Sequence, residues 1–185
     1  MGALVFLKGA WPCDAADREG RLDHARSPSP ELNEDFRAAM RRLASAVGVL
    51  TANGPVGPLG MAASSITSLT IEPPSLLVCV NRSATFHSCM NEGRSFCINL
   101  LSRDQRDICD AFGSPARRNE RFVGDCWSVD PSSKLPVLAD AQANIVCVVS
   151  RTFPYGTHSI VVGEVSDVRL GGDIAPLIYQ NGGYL

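Results

Sequence analysis

The sequence predicts a mainly β protein, an antiparallel sheet that curls or closes into a barrel with a few helices attached. Three observations carry this. Short apolar and β-branched runs recur along the chain, separated by turn-forming residues such as Asn53-Gly54-Pro55 and Pro73-Pro74. The helical stretches between them are few and short, so the chain does not alternate strand and helix as a parallel sheet requires. No Gly-x-Gly-x-x-Gly follows a first strand, which disfavours a Rossmann nucleotide domain. Strands joined by tight turns leave exposed edges, and closing the sheet removes them.

The elements follow in order. Residues 1–32 hold Gly, Ala, charges and Ser27-Pro28-Ser29-Pro30, and read as an extension or linker ahead of a domain spanning 33–185. From Asn33, an N-cap residue, Phe36, Met40, Leu43 and Val47 recur at spacings of three and four, which predicts an amphipathic helix. Gly48 breaks it, and a strand begins at Val49. Met61 to Ile71 is rich in small and β-branched residues and reads as one long strand or a bent pair. Ser75 to Val80 is a nearly continuous apolar strand. Thr85 to Asn91 predicts a short helix closed by Gly93, Ser95 to Leu101 a strand, and Ser102 to Phe112 a helix capped by Ser102 with Ile108, Ala111 and Phe112 inward. After a loop rich in Arg, Asn and Gly, Ala143 to Arg151 and His158 to Val168 read as two long strands turning through Phe153-Pro154-Tyr155-Gly156.

Composition narrows the class. The 185 residues are 45% apolar and 19% charged, with net charge −2, which suits one domain with a real core and calls for neither nucleic acid nor a membrane surface. The pairs Arg41-Arg42 and Arg117-Arg118 read as solvated faces. No apolar run approaches the roughly 20 residues that span a bilayer. The first residues lack the basic start and cleavage site of a signal peptide, and Phe6 stands where a myristoylation motif needs Ser or Thr, so a cytoplasmic location is expected. The seven cysteines include no Cys-x-x-Cys, and Cys79, Cys97 and Cys147 lie in apolar runs as small buried hydrophobes do. His87 and Cys89, two apart, do not share a helix face, and no metal site is expected.

Three segments carry candidate chemistry. In Gly60 to Thr70, the small residues Ala62, Ala63, Ser64 and Ser65 would let a ligand lie against the backbone, though the same serines serve equally in a polar-faced strand. Asn81-Arg82-Ser83-Ala84-Thr85 follows a buried strand and opens a helix, a place suited to phosphate, or one where Ser83 merely caps. His158 starts an apolar strand just past a turn, where a histidine is either structural or functional.

Together these segments resemble the flavin reductase-like family, the reductase partners of two-component flavin monooxygenases. The resemblance covers about Asp35 to Tyr184, through Gly60 to Pro74, Leu77 to Thr85, Gly156 to Val165 and Pro176-Leu177-Ile178-Tyr179. It implies a six-stranded antiparallel Greek-key split barrel, a homodimer with flavin near the interface, FMN or FAD as flavin, and NADH or NADPH as hydride donor. It places Met61, Ala62, Ala63, Ser64 and Ser65 along the isoalloxazine and ribityl chain and Asn81, Ser83 and Thr85 on the phosphate. His158 would be catalytic beside the flavin and nicotinamide, and Phe122 would cover the ring. Thr157 stands where many relatives carry an acidic or small polar residue. Other readings of the same barrel are a flavin-binding electron-transfer protein without nicotinamide turnover, a flavoprotein reductase of another acceptor such as a corrinoid, and a pyridoxamine-phosphate-oxidase-like enzyme.

Overall fold

The computed structural model describes residues 29–185, so most of the predicted 1–32 extension lies outside the described residues. The chain divides into two units, one ending at Arg37 and one spanning Ala38–Leu185. Helix α1 (Pro30–Met40) starts ahead of the predicted cap at Asn33. Ser29 caps it instead, its Oγ accepting the Leu32 N–H at 3.1 Å, and Pro30 suits a first turn where its missing N–H costs no bond. No residue of α1 is buried, and Phe36, Met40 and Leu43 stand exposed. The predicted apolar stripe crosses the helix end at Met40. Its last member, Val47, is buried in extended chain, with its N–H on the Leu177 carbonyl.

The strands are β1 (Ser45–Ala46), β2 (Gly48–Gly54), β3 (Gly57–Ala63), β4 (Ile66–Ile71), β5 (Pro74–Asn81), β6 (Ser95–Leu100), β7 (Trp127–Val129), β8 (Pro136–Leu138), β9 (Ala143–Tyr155), β10 (His158–Leu170), β11 (Ile178–Gln180) and β12 (Gly183–Tyr184). The main sheet runs β3-β2-β6-β9-β10-β5-β4, every neighbour antiparallel. Its two edge strands, β3 and β4, are joined by Ser64 and Ser65 alone. A flat sheet of this width would hold its edges about 29 Å apart, at ~4.8 Å per strand. Three Cα steps reach about 11 Å. The sheet must therefore curl until its edges meet, which is the closure the turn pattern predicts. Seven hydrogen-bonded strands stand where the resemblance implies six, because the bend at Ser64-Ser65 sends the halves of one stretch to opposite edges. Gly48 belongs to this seam: a Cβ there would lie 2.9 Å from Ile66 Cδ1 and 3.2 Å from the Asn99 carbonyl, so the glycine lets β4 approach β2 closely.

The turn between β9 and β10 is Gly156-Thr157, shorter than predicted, because Phe153, Pro154 and Tyr155 still pair with Ile160, Ser159 and His158. The helix predicted at 85–91 is a 3-10 turn, Thr85–Cys89. The next begins as a 3-10 turn, Arg103–Gln105, and continues as α2 (Arg106–Gly113). Gln105 Oε1 reaches back to accept the Ser102 N–H at 3.0 Å, a reciprocal cap. The Arg-rich loop after α2 coils into a further 3-10 turn, Pro115–Glu120.

Strand alternation sorts the barrel into two faces. Leu50, Val78, Val80, Phe96, Ile98, Cys147, Val149 and Val161 pack inside as one apolar cluster, each large side chain contributing about 1.5–3 kcal/mol. Cys79, expected inside, is exposed: it sits between Val78 and Val80, which take the inward positions. Cys97 and Cys147 are buried as expected, and burial pushes both thiols up to about 12. The opposite face carries polar groups. Buried Asn99 donates to the Val49 carbonyl (2.9 Å) and Thr51 Oγ1 (3.2 Å), and accepts from the Leu138 N–H and Asn144 Nδ2, both at 2.9 Å. Thr51 Oγ1 donates in turn to the Pro136 carbonyl at 2.6 Å, so the network fastens β8 to the barrel.

Candidate functional site

Strand β3 forms one wall of the site, and its side chains alternate. Leu59, Met61 and Ala63 join the barrel core, while Ala62 packs into the cluster around α2. Gly60 lies beneath the Phe112 ring: a Cβ there would come 2.5 Å from Phe112 Cε1. Part of this small-residue run is therefore small because an aromatic ring of α2 already occupies the space above it.

Phe112 is held in an aromatic cluster with Phe122 (ring centroids 5.0 Å, near-perpendicular) and Trp127 (5.3 Å). Phe122 has φ +58°, a left-handed conformation unfavourable for a bulky residue, and the packing of its ring against Phe112 and Trp127 holds it there. Arg121, next in sequence, is a rivet. Its guanidinium donates to the carbonyls of Ala111 (2.9 Å), Phe112 (3.1 Å) and Ser114 (3.2 Å) at the end of α2, and to Gly60 on β3 (3.4 Å). These bonds satisfy carbonyls that a helix end leaves unpaired. Burial, then the nearby charge of Arg118, pulls the Arg121 pKa down from its usual value.

Between β3, the Ser83–Phe86 stretch and this helix end lies a cleft of about 490 Å³. Met61, Ser83, Thr85 and Phe122 all line it, as do Arg118 and Arg121, and among the described residues no carboxylate does. The loop below is shaped by Asn81, whose Oδ1 accepts both the Ser83 N–H (2.9 Å) and the Ser83 hydroxyl (2.8 Å). The next residues are tied down by His87, whose Nε2 lies 2.9 Å from Ser159 Oγ on β10.

The remaining sequence candidates sit elsewhere. Ala62, Ala63 and Ser64 line a second hollow of about 300 Å³ with Tyr179 and Tyr184. There Tyr184 OH lies 3.1 Å from Cys109 Sγ, and burial keeps both groups protonated above their usual range. Ser65 commits its hydroxyl to the Cys79 carbonyl at 3.0 Å, extending the β4–β5 pairing. His158 is exposed at the start of β10, directly opposite Asn81 on β5, with Nδ1 2.9 Å from Thr157 Oγ1. The structure thus gathers Met61, Ser83, Thr85 and Phe122 into one cleft. Asn81 supports that cleft from beneath, and Ser65 and His158 line neither hollow.

Arg121 was not singled out from the sequence, and Gly60, Phe112 and Arg118 were noted only as part of a small-residue segment, an inward helix residue and a solvated pair. The Arg117-Arg118 pair was visible, but not its division: Arg117 pairs with Glu120 at 2.6 Å, while Arg118 faces the cleft.

Comparison with known proteins places this geometry. A family model described as "Flavin reductase like domain" matches residues 40–185. An FMN reductase (NADH) RutF of Stutzerimonas stutzeri is 38% identical over 156 residues, 84% of this chain and 89% of that protein. The reductase component of an FADH(2)-dependent resorcinol hydroxylase from a Rhizobium species is 35% identical over 159 residues, 84% of this chain and 88% of that one. Among solved structures, the NADH:FAD oxidoreductase of Streptomyces globisporus C-1027, in complex with NAD and FAD fragments, superposes with TM-score 0.76 at 25% identity. That match covers 86% of this chain and 95% of the other.

Proposed function

The chain belongs to the flavin reductase-like domain family, and from that premise we propose that it transfers a hydride from NADH or NADPH to FMN or FAD and supplies the reduced flavin to a partner monooxygenase. The observation that carries this reading is the cleft itself. Among the described residues it joins hydroxyls, an aromatic face and two cations with no carboxylate, which fits a flat heterocycle carrying a phosphate. When bound, the flavin supplies the redox chemistry, accepting a hydride as the nicotinamide leaves oxidised.

The chain's own part is to bind and orient. Thr85 and the Asn81-supported Ser83 loop would hold the phosphate end. Phe122 would cover one side of the ring. Met61 would border the ring in the cleft, while Ala62, Ala63 and Ser64 line the second hollow and Ser65 lines neither, so a flavin contact for those four rests on the family resemblance. His158 pairs directly with Asn81 at the start of β10, and by the family resemblance it would act beside the ring, its imidazole steadied by the Thr157 hydroxyl. Holding donor and acceptor in one orientation is the main source of acceleration in such a transfer.

The finer features belong to the same proposal. Residues 33–185 act as the reductase domain, with 1–32 an extension. The protein works as a homodimeric NAD(P)H:flavin oxidoreductase in the cytoplasm. Leu69 and Ile71 stand exposed on β4, an edge strand among the described residues, and support self-association. Among the described residues no helix is long and apolar enough to cross a membrane.

Anaerobic mixing of the protein with FMN or FAD and each nicotinamide tests the reading. Bleaching of the flavin at a rate proportional to enzyme supports it, and no bleaching with any pair overturns it. His158→Ala should slow reduction by at least tenfold while flavin affinity changes little, in line with losses of ~10²–10⁴ when a positioned proton-transfer group is removed. Unchanged turnover would exclude His158 from the mechanism.

A further inference from the structure

Ser159 stands where the barrel interior calls for a hydrocarbon. Alternation along β10 leaves His158 exposed and turns Ser159 inward, buried opposite Val80, its ladder partner on β5. Val161, the next inward residue, joins the apolar core. A buried hydroxyl gains little over a hydrocarbon of similar size unless its hydrogen bond fixes a geometry. Ser159 Oγ has such a bond, at 2.9 Å to Nε2 of the half-buried His87. His87 sits in the middle of the 3-10 turn Thr85–Cys89, its own N–H donating to the Ala84 carbonyl at 2.9 Å. Ala84, Thr85 and Phe86 line the cleft. The bond therefore joins the cleft wall to the residue directly after His158, across 72 positions of chain. The residue directly before His158 is pinned too, since the Arg82 N–H donates to the Thr157 carbonyl at 3.0 Å.

We propose that His87 is a positioning residue, which acts through Ser159 to set His158 against the cleft wall formed by Thr85 and Phe86. The proposal rests on the flavin reductase reading for the reaction that His158 serves, while the coupling of turn to strand rests on the geometry alone. Pairing of β10 with β5 fixes His158 along the ladder, but that pairing ends at Asn81 and does not reach the turn. The side-chain bond carries the alignment onward, from β10 to the wall. A displacement of about 1 Å costs an oriented reaction on the order of 10²-fold, so even a small slip of the turn is felt in the rate.

The test cuts the bond from each end. Ser159→Ala and His87→Leu remove it, alone and together, whereas His87→Gln sets an amide nitrogen where Nε2 stood and keeps it. Flavin reduction is followed anaerobically at saturating FMN, beside urea midpoints for each variant. Each cut should slow reduction by about tenfold, and the double variant should be no slower than either single one. His87→Gln should recover most of the rate. In a His158→Ala background the same cuts should change the residual rate by less than about twofold, because no imidazole remains to be positioned. A tenfold loss that persists without His158 overturns the proposal, and so does a fall in stability with the rate unchanged. A second readout needs no turnover. In flavin-free protein, amide hydrogen exchange across Thr85–Cys89 should quicken in Ser159→Ala and stay near wild type in His87→Gln; equal exchange in all three proteins overturns the coupling. If wild type reduces no flavin with either nicotinamide, the reductase reading falls, and the exchange result still decides whether the bond joins turn to strand.

Discussion

The two faces of the barrel sheet are built on different physical terms. Inside, Phe96 and Ile98 of β6 meet only apolar neighbours, and the requirement is volume and shape. On the opposite face of the same strand, Asn99 satisfies four partners, one of them the backbone of β8. An apolar interior tolerates exchange of one hydrocarbon for another. A buried polar node does not, because each removed bond leaves an orphaned group with no water to replace it. The candidate cleft belongs with the second kind: Arg121 and Gly60 hold its walls by specific bonds and a close approach rather than by bulk apolar packing.

This contrast can be broken by experiment. The largest effect should come from Asn99→Leu, which keeps the volume but orphans the buried Leu138 N–H and removes the bonds to Thr51 and Asn144. It should cost about 3 kcal/mol, at ~1–3 kcal/mol per orphaned group, whereas Ile98→Leu one position away should cost less than ~1.5 kcal/mol. Urea midpoints compare the two, and equal losses would show that the faces do not differ as argued. Exchange of the Leu138 amide hydrogen should quicken in the Asn99 variant, because the hairpin of β7 and β8 loses its anchor.

Arg121→Gln comes next. Losing its carbonyl partners should destabilise by about 2 kcal/mol, and release of the α2 end from β3 should weaken flavin binding as well. Arg121→Lys should recover only part of either loss, because an ammonium cannot span the carbonyls that a planar guanidinium reaches. Full rescue by lysine would reduce the rivet to a simple charge.

The smallest effect is confined to acid. The Ser133 N–H and hydroxyl, then Arg169, hold the buried Asp130 carboxyl well below the usual carboxylate range. A carboxylate depressed in the folded state adds stability that is fully present above its unfolded pKa, about 3.9, and is lost as pH falls through the lower folded value. Wild type should therefore lose stability more steeply than Asp130→Asn between pH 5 and pH 2, to be read from urea midpoints at each pH. Parallel losses would remove Asp130 from the acid response.

What the sequence determined by itself is what depends on near neighbours. Alternation along Ser75 to Val80 and Ser95 to Leu101, the turn chemistry at Asn53-Gly54-Pro55 and the Ser102 cap are set within a few residues, and the barrel class follows from them. The ordered motifs also led to the family and to Met61, Ser83, Thr85 and Phe122, which do share a cleft. Tertiary structure decided what depends on partners far along the chain. Spacing alone could not show that Phe112 fills the space over Gly60, that Cys79 points outward, or that a buried Asn99 anchors β8. Nor could it separate Arg117 from Arg118, since identical side chains in adjacent positions differ only in where the folded loop aims them. Local geometry is a property of the chain's dihedral angles and their short-range sterics. Which charge is left without a counter-ion is a property of the closed barrel.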